Sequence, residues 1–193
     1  MIPVNPVPEP LNYRNEAYLP GLKWLDEHPD SKRPDDKWSP YYNHLADGFS
    51  DRCGYWGTKI SSGEVDHFIS WKTAKDTGRP NLAYEWSNFR FSSSSANGHK
   101  GNADDRVLDP YEIPEDWFEI ILPSLQFKLT NKVPHALRGK ALYTLTTLHL
   151  QKGKALRNRR NIYTMYQENK LTLKGLKDWA PLIAEAVMKQ EAP

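Results

Sequence analysis

Apolar residues recur three or four positions apart through the last third of the chain, the spacing that places them on one face of a helix. The pattern predicts helices over 134–151 and 154–169. A further apolar helical stretch over 173–187 is predicted to break or restart at Pro181. The first helix has the most regular pattern. Its apolar positions, at intervals of four, four and three residues, are Leu137, Ala141, Leu145 and Leu148.

Other segments alternate between apolar and polar residues, as β-strands do. Residues 117–122 and 125–129 predict one hairpin. Residues 55–60 and 64–70, separated by a Ser-Ser-Gly turn, predict another. A short helix is predicted over 92–100, because serine is a favourable N-cap and the glycine that follows is a favourable stop.

The remaining segments are rich in residues that interrupt regular structure. Residues 1–50 contain eight prolines, which predicts an extended arm with short helices near 22–27 and 40–48. Residues 71–81 are polar and are predicted to form a loop. The arm has too many aromatic and aliphatic residues for a disordered tail, so a structural role is expected for it.

These elements predict an α+β fold in a single compact unit, since 193 residues suit one domain. The expected divisions are an irregular, Pro-rich N-terminal wrapping arm (1–50), a central core (51–112), and a hairpin with a mainly helical C-terminal subdomain (113–193). No apolar run approaches the length of a membrane span and no signal segment is apparent. With only one cysteine, Cys53, the chain is expected to be cytoplasmic, without an internal disulfide.

The net charge of +2 conceals a strong asymmetry. Residues 9–51 contain nine acidic and five basic residues, whereas residues 132–170 contain nine basic residues and one acidic residue. A basic block beside an acidic segment predicts a polyanionic partner such as DNA, the alternative being a solvated helix face. The candidate nucleic-acid contacts in this block are Lys154, Arg157, Arg159 and Arg160.

Candidate chemistry is concentrated between residues 64 and 101. Hydrolysis of a phosphodiester needs a base for the attacking water and stabilisation of the added negative charge. His67 suits the first role, since neutral imidazole accepts a proton near pH 7. Asp66 and Asn97 suit the second as oxygen ligands of a divalent cation, Mg²⁺ or Mn²⁺. His99 is the alternative ligand to Asn97, although positions two apart do not share a helix face.

Two further residues have supporting roles in this interpretation. Asn88 is expected to bond to the backbone and to brace the loop that carries His67, and Lys100 to contact a phosphate. Adjacent side chains in a regular strand point to opposite faces. Asp66 and His67 can therefore act together only at a strand end or a bulge.

These residues form a recognisable series of motifs. The chain resembles bacterial HNH endonucleases, above all the branch associated with retrons and the Septu defence system, over residues 53–110. The resemblance implies a ββα-metal core and DNA cleavage in defence against phage or other foreign DNA. It also implies His67 as general base, with Asp66 and Asn97 at the metal. It rests on Val65-Asp66-His67-Phe68, Ala83-Tyr84-Glu85-Trp86-Ser87-Asn88-Phe89-Arg90, Asn97-Gly98-His99-Lys100-Gly101 and Val107-Leu108-Asp109-Pro110.

One departure from this family concerns a structural zinc that many relatives hold with two Cys-x-x-Cys pairs. The corresponding positions here are Cys53, Trp56, Ser93 and Ala96, and a single cysteine cannot supply four ligands. No structural zinc is therefore expected. Packing by tryptophans is expected to replace it, the candidates being Trp56, Trp71 and Trp86.

Two other functions remain open from the sequence. A chain that has lost its zinc ligands could be a catalytically silent DNA-binding or partner-docking module. It could also be a nuclease that is active only with a partner, such as a regulatory ATPase or another defence-system protein.

Overall fold

The computed structural model describes residues 1–191 and has the predicted α+β architecture, with two small antiparallel sheets. The strands are β1 (Glu64–His67), β2 (Phe89–Ser92), β3 (Phe118–Ile121) and β4 (Gln126–Leu129). The helices are α1 (Leu19–Glu27), α2 (Tyr42–Gly48), α3 (Trp71–Asp76), α4 (Ser94–Lys100), α5 (His135–Thr147), α6 (Gly153–Gln167), α7 (Leu173–Trp179) and α8 (Pro181–Glu191). No helix within residues 1–191 has both the length and the apolar composition needed to cross a lipid bilayer.

The C-terminal elements confirm the periodicity argument. β3 and β4 pair as an antiparallel hairpin, with Phe118 opposite Leu129. Helices α5 and α6 form where the apolar spacing predicts them. Pro181 begins α8 instead of interrupting a longer helix, which fits its fixed φ angle and its missing N–H at a first helical position.

Two predictions for the middle of the chain are wrong. Residues 55–60 form no strand, because the Gly57 N–H donates to the Cys53 carbonyl and the Cys53 N–H to the Thr58 carbonyl. Gly57 has a positive φ of 67°, so the segment closes on itself as a turn. Residues 71–76 form helix α3, because the Ser70 side chain accepts a hydrogen bond from the Thr73 N–H as an N-cap.

The small sheet β1–β2 lies between two hydrophobic clusters. Val65, Phe89 and Phe91 belong to one face of the sheet, which packs on the N-terminal arm through residues such as Tyr13. The second cluster contains the C-terminal helices and the β3–β4 hairpin. Each tyrosine and phenylalanine of this arm interface contributes a large apolar area, so the arm is part of the core.

The other face of the β1–β2 sheet is polar, and apart from Glu64 its side chains are buried. Arg90 on β2 forms a bidentate ion pair with Asp109, with Nε donating to Oδ1 at 2.6 Å and Nη2 to Oδ2 at 2.5 Å. The guanidinium also stacks over the Tyr111 ring, 3.7 Å from its centroid. Both charged side chains are about 5% exposed, so the pair connects β2 to the loop after α4 through a desolvated contact.

Asp109→Asn is expected to lower the free energy of unfolding by about 3–5 kcal/mol, because it leaves the buried Arg90 guanidinium without its counter-charge. Chemical denaturation monitored by tryptophan fluorescence measures the effect. Asp105→Asn is the matched control, since Asp105 is exposed, and a change within about 0.5 kcal/mol is expected for it. Equal losses in both variants would contradict a structural role for the pair.

Candidate active site

The predicted acid and base, Asp66 and His67, are neighbours on β1 but project from opposite faces of the sheet. Pairing with β2 is continuous along β1. Asp66 contacts Tyr55 on the polar face, whereas the His67 ring contacts Trp38 on the arm side. The regular strand therefore keeps the two side chains apart, as alternation requires.

His67 is held in one ring orientation. Its Nε2 is 2.9 Å from the carbonyl oxygen of Ala83, which can only accept a hydrogen bond, so Nε2 carries the proton. The other ring nitrogen, Nδ1, is consequently the unprotonated one. Edge-to-face contacts with Trp38 and Phe89, at centroid distances of 4.7 and 5.1 Å, fix the plane of the ring.

The surroundings of His67 favour its neutral form. Burial lowers the pKa of His67 below its ordinary value, and the Lys100 ammonium acts in the same direction. The Ala83 carbonyl and the Asp66 carboxylate oppose that effect. The residue keeps partial solvent exposure. A neutral imidazole with a defined acceptor nitrogen is the form that a general base requires.

Asn88 braces the end of β1 through its side chain. Its Oδ1 accepts a hydrogen bond from the Ile69 N–H at 2.8 Å, and its Nδ2 donates to the carbonyls of Ile69 and Leu82. The Asn88 carbonyl also accepts from the Phe68 N–H. This is the geometry of the positioning role expected for Asn88, because it fixes the backbone directly after His67.

Asp66 lies in a closed network of polar side chains. Its Oδ1 is 2.9 Å from the Lys100 ammonium, and its Oδ2 accepts a hydrogen bond of 2.6 Å from the Tyr55 hydroxyl. Lys100 also donates to the carbonyl of His67 at 2.8 Å. The carboxylate raises the pKa of Tyr55 well above its usual value, after the larger effect of burial. No sequence pattern singles out Tyr55, since a single tyrosine outside the motifs looks like a core residue.

Asn97 and His99 lie outside this network. The Asn97 amide donates to the Glu64 carboxylate at 2.9 Å, on the exposed part of the same sheet face. His99 packs against His149, with ring centroids 4.0 Å apart. Glu64 was missed by the sequence argument, although it lies two residues before Asp66 and shares its side of the strand.

The Asp66 and Asn97 side chains do not fit a divalent cation in this arrangement. Both Asp66 oxygens are already bonded, and its side chain is about 1% exposed. A magnesium ion would need space for several waters in addition to protein oxygens. Within residues 1–191, no group of three or more His, Cys, Asp or Glu side chains is arranged to hold a metal.

The chain resembles a family in which four positions hold zinc, and some of the corresponding positions lie close together here. The Cys53 Sγ is 3.8 Å from the Ser93 Oγ and accepts a hydrogen bond from the Ser93 N–H. The Ala96 N–H donates to the same Ser93 hydroxyl, and Trp56 packs in the same cluster. Tryptophan and alanine offer no ligand atoms, so these positions do not fit zinc. Trp71 and Trp86 pack in the other cluster and fill no part of this space.

No protein-family model, curated protein or solved structure matches the chain.

The basic block divides between solvent and core. Lys154, Arg157 and Arg160 are exposed on α6 and remain available to a polyanion. Arg159 is 1% exposed, and its guanidinium donates to the backbone carbonyls of Leu125 and Leu150. Burial lowers the pKa of Arg159 to about 10, which leaves it charged at neutral pH.

Two residues predicted to contact nucleic acid therefore need correction. Arg159 and Lys100 are both buried and both have internal hydrogen-bond partners, so neither side chain reaches a phosphate in this conformation. The sequence shows that both side chains are positively charged, but it does not show which backbone carbonyls in the core need a hydrogen-bond donor. Their burial could therefore not be predicted from charge alone.

For His67 we expect a neutral Nε2–H tautomer and a titration midpoint below about 6.5, because burial disfavours the imidazolium. Long-range ¹H–¹⁵N NMR spectra recorded against pH measure both properties. The unfolded chain binds this proton more readily than the folded one, so the contribution of His67 to stability decreases as pH falls below about 6.5. A midpoint above about 6.5, or an Nδ1–H tautomer, would contradict the geometry.

Arg159→Ala is expected to destabilise the fold by roughly 3 kcal/mol or more, because it opens a cavity and leaves two buried carbonyls without donors. Arg157→Ala on the same helix is the matched control and should change stability by about 0.5 kcal/mol or less. DNA binding should show the opposite dependence. Arg157→Ala should weaken it, whereas Arg159→Ala should not, under conditions where that variant remains folded. Thermal denaturation and fluorescence anisotropy provide the two readouts.

Proposed function

We propose that this protein is an HNH-type endonuclease that hydrolyses DNA phosphodiester bonds, with His67 as the general base. The observation that carries the proposal is the fixed tautomer of His67. Its Nε2 proton is committed to the Ala83 carbonyl, and Nδ1 is left as a proton acceptor. A neutral imidazole has one acceptor nitrogen, and the contact with Ala83 determines that this nitrogen is Nδ1.

The chain's own residues supply the base half of the reaction. Nδ1 of His67 takes a proton from the attacking water, and the imidazolium that forms keeps its Nε2–H bonded to the Ala83 carbonyl. That carbonyl stabilises the positive charge as it develops. Asn88 keeps the backbone beyond His67 in place, so that the ring does not need to reorganise during the reaction.

The order of elements also supports the proposal. β1 and β2 are antiparallel neighbours with helix α3 between them in the chain, and α4 follows β2 and contacts β1. The family motifs fall at the end of β1, at the start of β2 and within α4. The proximity of Cys53, Ser93 and Ala96 agrees with the same alignment. A ββα-metal core is thus part of the proposal.

The exposed cations of α6 support DNA as the substrate. Lys152 precedes the helix, and Lys154, Arg157 and Arg160 project from it into solvent. Phosphate contacts of this kind give affinity without sequence preference. A cytoplasmic role in defence against phage or other foreign DNA, and control by a regulatory ATPase or another defence protein, belong to the proposal through the family resemblance.

A second candidate function is a catalytically silent DNA-binding or partner-docking module. The observation that favours it is the closed state of Asp66, whose two oxygens are taken by Lys100 and Tyr55. In that case the basic surface of α6 is the functional part, and His67 only completes the arm interface.

Purified protein incubated with supercoiled plasmid should convert it to nicked or linear DNA, in parallel reactions with Mg²⁺, Mn²⁺ and EDTA. His67→Ala should lower the cleavage rate by about 10²-fold or more, the usual contribution of a general base, while DNA affinity stays unchanged. His135→Ala is the control, since His135 is an exposed histidine remote from the motifs in sequence.

The two candidate functions give different results in this experiment. Intact plasmid in every metal, also after addition of proteins encoded beside this chain, together with salt-dependent binding, supports the silent module. Cleavage by His67→Ala at the wild-type rate contradicts the assignment of His67.

A further inference from the structure

The ammonium of Lys100 occupies the position beside Asp66 where a cation is expected. It lies 2.9 Å from Asp66 Oδ1 and 2.8 Å from the carbonyl oxygen of His67, so two oxygens of β1 already surround one positive charge. The Tyr55 hydroxyl satisfies the other carboxylate oxygen. The side chains of Asp66 and Lys100 are each about 1% exposed, which makes this a fully desolvated contact.

The fold delivers Lys100 to this position by a short, well-defined route. Helix α4 begins after Ser93, whose hydroxyl accepts a hydrogen bond from the Ala96 N–H, and it ends at Lys100. Gly101 follows with a positive φ of 49°, so the chain turns away directly after the lysine. The length of α4 therefore sets the distance between its last side chain and the middle of β1.

We propose that Lys100 is the resident cation of Asp66 and takes the place of a divalent metal ion at this acid. The inference rests on the proposed function, since it concerns the acid of the same candidate site. It deepens the proposed function by excluding a metal ion from Asp66. Asp66 then stabilises the ββα unit by holding β1 to the end of α4.

The chemistry of the pocket favours the lysine over a metal ion. A divalent ion at Asp66 would have to displace the ammonium, and this would leave Lys100 buried without its counter-charge. The ion would also lose most of its hydration shell, because neither Asp66 nor Tyr55 is open to water. Direct pairing with a lysine requires neither change.

Manganese titration of the ¹⁵N-labelled wild-type protein, followed by NMR, tests the proposal without any substitution. Bound Mn²⁺ broadens nearby amide signals, so the amides of Tyr55, Asp66 and His67 should keep their intensity at metal concentrations that broaden exposed acidic sites. Selective broadening of these three signals overturns the proposal, because it would show that metal displaces Lys100.

Lys100→Met provides the complementary test, since methionine has a similar length and no charge. This variant should bind Mn²⁺ at least about tenfold more tightly than wild type, as the vacated position now offers Asp66 and the His67 carbonyl to a metal. Calorimetry and the metal-induced rise in Tm are the readouts. The Asp66→Asn/Lys100→Met double variant is the control and should lose the added affinity.

The possible results separate cleanly. Equal Mn²⁺ affinity in wild type and Lys100→Met, when both are folded, contradicts the proposal. If Lys100→Met folds only with Mn²⁺ present, the proposal is supported, and if it does not fold at all, the wild-type titration decides. Because these measurements report metal binding and not cleavage, a negative plasmid assay would remove the nuclease proposal without deciding this one.

Discussion

Alternation along one four-residue strand governs the arrangement of the candidate site. Because β1 pairs regularly with β2, the acid and the histidine of the motif face different parts of the molecule. His67 belongs to the aromatic side covered by the N-terminal arm, and Asp66 belongs to the polar side covered by α4. On the polar side both carboxylate oxygens of Asp66 have partners within the protein, whereas on the aromatic side only Nε2 of His67 is bonded. The sheet therefore separates the candidate base, His67, from a buried ion pair.

The polar face of the β1–β2 sheet is stabilised by buried ion pairs. Arg90 with Asp109 and Asp66 with Lys100 are two buried ion pairs on adjacent, directly paired residues of β1 and β2. Buried charges are tolerated when each is paired and its remaining hydrogen-bonding atoms have partners, which Tyr55 provides for Asp66. Both pairs connect the sheet to segments that follow it in the chain.

Local sequence patterns predicted helices and strands correctly in the segments whose structure depends on few long-range contacts. The β3–β4 hairpin, helices α5 and α6 and the restart at Pro181 follow from spacing and backbone chemistry alone. Residues 55–60 differ because their backbone groups bond within a tight turn. The contacts among the candidate site residues were harder to predict. Asn88 took its expected bracing position, whereas the contact between Asp66 and Lys100 joins residues 34 positions apart and has no local signal.

Arg159 is buried, but its hydrogen bonds affect the exposed basic surface of α6. Its guanidinium is held between the carbonyls of Leu125 and Leu150, so α6 cannot turn about its own axis without breaking both hydrogen bonds. The backbone positions from which Lys154, Arg157 and Arg160 project are thereby fixed relative to the β3–β4 hairpin. The orientation of the helix that carries these exposed basic residues is thus set by an arginine in the interior of the protein.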